Sequence, residues 1–89
     1  MPRISEFYGI VVRMYYDEAH HPGRPHFHAD YAGRAATVEI ATGRVLAGRL
    51  PLAQRRLVRR WAAAHRDELE ANWWRAREEQ PLESIAPLA

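Results

Sequence analysis

The chain has 89 residues, 47% hydrophobic and 27% charged, a composition that excludes a disordered or low-complexity protein. It has no cysteine, which excludes disulfides and thiolate metal sites, and no run of about 18 apolar residues that would mark a membrane span. The net charge is +2 and all thirteen cations are arginine, whose planar fork suits phosphate or carboxylate; fifteen alanines beside them make a GC-rich genome an equal explanation.

A chain this short buries about 60 to 65% of its unfolded surface, so one core and one domain spanning residues 1–89 are expected. The opening MPRISEFYGI lacks the apolar centre of a signal peptide, which makes the cytoplasm the expected location. From Ile4 to Tyr16, β-branched and aromatic residues dominate, with Ile10, Val12, Met14 and Tyr16 alternating against Val11, Arg13 and Tyr15. That pattern predicts a long first strand, or a strand preceded by a short turn at Gly9. DEAHHPGRP follows, and its Pro22, Gly23 and Pro25 break any ladder and predict a loop.

His26–Tyr31 and Arg34–Ile40 read as two further strands joined by Ala32–Gly33, and a weaker strand around Val45–Leu50 ends at Pro51. Strong helix formers without glycine or proline then run to Glu79, predicting one helix of roughly seven turns over about 52–79. Leu57, Val58, Trp61, Ala62, Leu69, Trp73 and Ala76 form its apolar stripe. His65, Glu68 and Asn72 make a polar line beside the stripe, expected to bond the tail or the sheet. In that tail, residues 80–89, Leu82, Ile85 and Leu88 predict that it packs back. The fold class expected is α+β: an antiparallel meander of three to four strands, covered on one face by one long C-terminal helix.

Strand alternation points Phe27, Ala29 and Tyr31 one way and His26, His28 and Asp30 the other. A two-residue Ala32–Gly33 turn then sets Phe27 against Val38, Ala29 against Ala36, His28 against Thr37 and His26 against Glu39. A slip of one residue would bury an unpaired imidazole, at about 1 to 3 kcal/mol, and expose Phe27, at about 1.5 to 3 more. His26, His28 and Glu39 are therefore expected together on the face away from Trp61 and Trp73, with Arg13 and Tyr15 beside them.

Two chemistries fit that face. An imidazole, ordinarily titrating near pH 6.5, could move a proton beside Glu39 while Arg13 holds a phosphate, a minimal kit for metal-independent ribonuclease-like cleavage by His26, His28, Glu39, Arg13 and Tyr15. Alternatively His26 and His28 present two imidazoles to zinc or another divalent metal, with His20, His21, Asp17 or Glu39 completing the shell. Set against both is a purely structural reading, in which the histidines are satisfied surface groups. Arg55, Arg56, Arg59 and Arg60, with Arg66, form a cationic band on the helix suited to an acidic protein or RNA. The exposed sheet edge and uncovered face favour a partner or a homodimer.

RPHFHADY, with ISEFYGIVVRMYY before it and LPLAQRRLVRRW, His65, Leu69, Asn72, Trp73 and IAPL after it, resembles the small bacterial family called domain of unknown function 4160. The resemblance rests on Met14 and Tyr15, Pro25 to His28, Gly48 to Pro51, and the helix residues Trp61 through Trp73. EAHHPGRP departs from it by an apparent insertion, with Arg24 in place of a first proline. Members are often encoded beside another small protein and grouped with toxin–antitoxin components, which implies a toxin-like component with a protein partner encoded nearby. Together with the basic and histidine-bearing surfaces, the expected function is that of a toxin-like component acting on or binding RNA, with no membrane role; the alternative is a non-catalytic protein-binding module carrying a His-x-His metal site.

Overall fold

The structure, a computed structural model, describes residues 2–16 and 23–89. Five strands, β1 (Arg3–Phe7), β2 (Ile10–Arg13), β3 (His26–Tyr31), β4 (Arg34–Glu39) and β5 (Val45–Gly48), are followed by helices α1 (Leu52–Ala64) and α2 (Arg66–Arg77). The strands form one antiparallel sheet in the order β1-β2-β3-β4-β5. The α+β class and the meander hold; the number of strands and the single helix do not.

The additional strand comes from the chain's start. Tyr8 (φ 49°) and Gly9 (φ 77°) both adopt left-handed conformations, the geometry of a primed two-residue turn, and split the expected long strand into the β1–β2 hairpin. Ala32 (φ 48°) and Gly33 (φ 79°) repeat that turn between β3 and β4. Alanine is strained there, but the paired strands on both sides hold the conformation.

The helix breaks at His65 (φ −119°, ψ 25°), where a single helix over about 52–79 was expected. The local sequence has no proline or glycine to cause it. A straight rod from Leu52 to Arg77 would be about 39 Å long at roughly 1.5 Å per residue, more than the 34 Å of the molecule's longest axis. The break keeps both halves over the sheet: Val58, Trp61 and Ala62 of α1 and Leu69, Asn72, Trp73 and Ala76 of α2 are all buried. Leu57, expected in the same stripe, is half-buried against the core. α2 ends with Glu79 at φ 57°, Gln80 N–H donating to Arg75 O (2.8 Å) and Glu79 N–H to Ala76 O (3.2 Å), a Schellman stop that precedes Pro81.

The core joins Ile4, Phe7, Ile10, Val12, Met14, Phe27, Ala29, Ala36, Val38 and Ile40 of the sheet side to the helices' apolar stripe and Ile85. Trp61 is its centre, fully buried, with Phe7 and Phe27 rings at 5.2 and 5.8 Å. The tail packs back as its apolar residues predict. Ile85 N–H donates to Ile4 O at 2.8 Å, Trp61 Nε1–H donates to Ala86 O at 2.8 Å, and Tyr16 Oη–H donates to Gln80 O at 2.8 Å. Among the described residues no helix is long and apolar enough to cross a membrane.

Candidate functional site

Phe27, Ala29, Ala36 and Val38 face the helices and are buried. The register between β3 and β4 pairs His26 with Glu39, Phe27 with Val38, His28 with Thr37 and Ala29 with Ala36. Across the other side of β3, Arg13 of β2 stands opposite His28. Arg13, His28 and Thr37 therefore form one row over three adjacent strands, and each is half-buried on the face that carries no helix. The Ala32–Gly33 turn sets His28 against Thr37, and Arg13 joins the row through the pairing of β2 with β3, across the longer connection between them.

Within the row, the Tyr15 and His28 rings meet edge to face at 4.5 Å, and His26 and His28 meet at 5.4 Å and 83°. His28 Nδ1 lies 3.5 Å from Thr37 Oγ1. His26 Nδ1 is 2.9 Å from Arg24 O. A carbonyl only accepts, so this nitrogen carries the hydrogen, and Nε2 is the basic nitrogen of the neutral ring. Arg13 Nε donates to Asp30 Oδ2 at 3.1 Å, so its cation is already partly neutralised.

Two expectations about this face change. His26 does not lie away from Trp73: the two rings are 5.1 Å apart. Trp73 of α2, beyond the break at His65, reaches the first residue of β3. Glu39 stands opposite His26 as expected, but its carboxylate is committed elsewhere, accepting from Thr42 Oγ1 at 2.6 Å and lying 3.4 Å from Arg24 Nε. Thr42 and Arg24, its partners, lie in irregular segments without a readable period, so no residue pattern points to them.

Among the described residues no group of three histidines, aspartates or glutamates is placed to hold a metal ion, so Glu39 does not complete a set with His26 and His28. Asp17, His20 and His21, the other ligands considered, lie outside the described residues. The polar line on the helices is hydrogen-bonded within the chain. His65 Nδ1–H donates to Glu68 Oε1 at 2.6 Å with its ring on Trp61, and the fully buried Asn72 bonds the tail.

The arginine band divides. Arg55, Arg56 and Arg59 line a groove of about 350 Å³ with Gly43, Arg44, Val45 and Leu52, whereas Arg60 does not. Arg44 was not among the expected residues, because it arrives from the turn before β5 rather than from the helix. The family model for the domain of unknown function DUF4160 matches residues 9–74. The chain belongs to that family. No curated protein and no solved structure matches it. The DUF4160 span runs from the first hairpin turn into α2, so it holds the row on the sheet, the buried residues of both helices except Ala76, and the arginine groove.

Proposed function

We propose that this protein is the toxin-like component of a bacterial toxin–antitoxin-type module, acting in the cytoplasm on single-stranded RNA held over the helix-free face of its sheet. The observation that carries the reading is the row Arg13–His28–Thr37 with the Tyr15 and His26 rings against His28. A single strand of RNA asks for flat rings on which unstacked bases lie and a cation for the phosphate between them. An antiparallel sheet offers both on one face, because its strands hold alternate side chains at fixed spacing.

Two imidazoles whose centroids lie 5.4 Å apart also fit metal-independent cleavage. The 2′-oxygen attacks the neighbouring phosphorus while its proton passes to one ring. The 5′-oxygen leaves with a proton from the other, giving a cyclic phosphate and a free 5′-hydroxyl. His26 suits the base role through Nε2, and Arg13 suits the phosphate.

The test is a labelled single-stranded RNA titrated at low salt and then incubated in EDTA. Binding is expected for the native protein and should weaken about five-fold or more in Arg13→Gln and His28→Ala, with cleavage lost in His26→Ala. Folded protein that leaves the RNA unbound at micromolar concentration overturns the reading. The module itself is tested by inducible expression, which should arrest growth alone and not when the neighbouring gene is co-expressed.

A further inference from the structure

The groove at the start of α1 lies apart from the row on the sheet and has its own chemistry. Arg55, Arg56 and Arg59 come from α1, and Arg44 comes from the turn before β5. Gly43, buried and at φ 72°, lets that turn approach the helix. A Cβ there would meet Arg59 Cγ at 3.1 Å and Arg59 Cα at 3.4 Å, so a larger residue would push the two walls apart. None of the four arginines forms an ion pair among the described residues. The first turn of α1 contains no acidic residue, and Pro51 supplies no side-chain cap, so the positive end of the helix adds to the same field.

Four like charges gathered without a counter-charge repel one another, a standing cost that an anionic partner removes. The groove also exposes apolar surface: Leu52 is 51% exposed within it. No tyrosine, tryptophan, phenylalanine or histidine lines it. Bases would find no ring to stack on, while carboxylates and small apolar side chains would find both of their complements. β5 itself is a poor template for an added strand, being four residues long with a register irregularity opposite Thr37 and Val38. Recognition there falls to side chains rather than to a backbone ladder.

From this we infer that the Arg44–Arg55–Arg56–Arg59 groove is a docking site for an acidic protein segment, one that alternates carboxylates with aliphatic residues. It sits outside the RNA-binding face and does not depend on it. In a two-protein module such a site would let a partner bind while the sheet face is occupied or empty.

The experiment uses the full chain and a fluorescent peptide of alternating glutamate and leucine, with a lysine–leucine peptide and a single-stranded RNA of similar length as the other arms, all followed by anisotropy. The acidic peptide should bind, and its dissociation constant should rise about ten-fold or more in Arg55→Gln/Arg56→Gln, the loss of little more than one charge-assisted contact. The RNA affinity should stay within about two-fold of native, and the melting temperature should hold or rise slightly, because both side chains are exposed and their mutual repulsion is removed. Equal binding of the acidic and basic peptides, or an acidic-peptide affinity untouched by the double substitution, overturns the inference. If the RNA rather than the peptide loses affinity, the groove is a nucleic-acid site and the protein-docking assignment is wrong. Failure of RNA to bind in every variant would count against the sheet-face reading alone.

Discussion

Asn72 holds Glu83 by both of its backbone polar groups: Nδ2–H donates to Glu83 O at 2.9 Å, and Oδ1 accepts from Glu83 N–H at 3.0 Å. Arg75 Nη1 also donates to Oδ1 at 2.9 Å, so a fully buried amide has its carbonyl and one N–H engaged. The pair fastens the tail beside the strand that Ile85 bonds at Ile4. A side-chain amide is the one group of this size that can match a peptide unit donor to acceptor, and a buried mismatch is expensive.

Asn72→Ala should therefore cost about 1 to 3 kcal/mol, because it removes both hydrogen bonds to Glu83 at a part-buried site. Asn72→Asp should cost at least as much, since a carboxylate oxygen would face the Glu83 carbonyl. Denaturant unfolding measures both. In a chain ending at residue 80 the Asn72→Ala effect should shrink, and an undiminished cost there would mean that Asn72 stabilises something other than the tail.

Two left-handed positions give a pair of opposite effects. Gly48 sits at φ 78°, and an added Cβ would lie 2.1 Å from Ala35 O and 3.0 Å from Ala36 Cα, both backbone. Gly48→Ala should destabilise by more than about 2 kcal/mol, combining left-handed strain with a clash that no side-chain rotation relieves. Ala32 already carries such strain at φ 48°, and Ala32→Asn should stabilise by about 0.5 to 1 kcal/mol because asparagine tolerates the first position of this turn. Thermal melting of the two variants should move in opposite directions.

Arg13 and Asp30 bear on the proposed RNA face. Their ion pair, at 3.1 Å with side chains 28% and 39% exposed, competes with any phosphate for the same guanidinium. Asp30→Asn should tighten RNA binding about three-fold or more at low salt, and the gain should fade as salt rises. Equal affinity in the native and Asp30→Asn proteins would show that Arg13 takes no part.

His26 and Trp73, with rings 5.1 Å apart, supply a test of their own contact. A double-mutant cycle with His26→Ala and Trp73→Phe should return a coupling of about 0.5 to 1.5 kcal/mol. Additive effects would show that the two rings do not interact.

Much of this protein was legible in the residues because alternation and turn chemistry are local. Phe27, Ala29, Ala36 and Val38 mark one face of two strands, and the Ala32–Gly33 turn then pairs every position from His26 to Glu39 as found. The helix stripe and the tail's Leu82, Ile85 and Leu88 are equally periodic facts, and they pack as their spacing requires. The tertiary structure decided what no period encodes. The break at His65 has no breaker residue behind it, and a straight rod of that length would exceed the molecule's longest axis. Trp73, beyond it, meets His26. Glu39 meets Thr42 and Arg24, and Arg44 meets Arg55, Arg56 and Arg59, through irregular segments whose path depends on what they pack against rather than on their own sequence. Hydrophobic periodicity specifies which face of an element is buried; only the assembled layers fix where that element bends and which distant charges it meets.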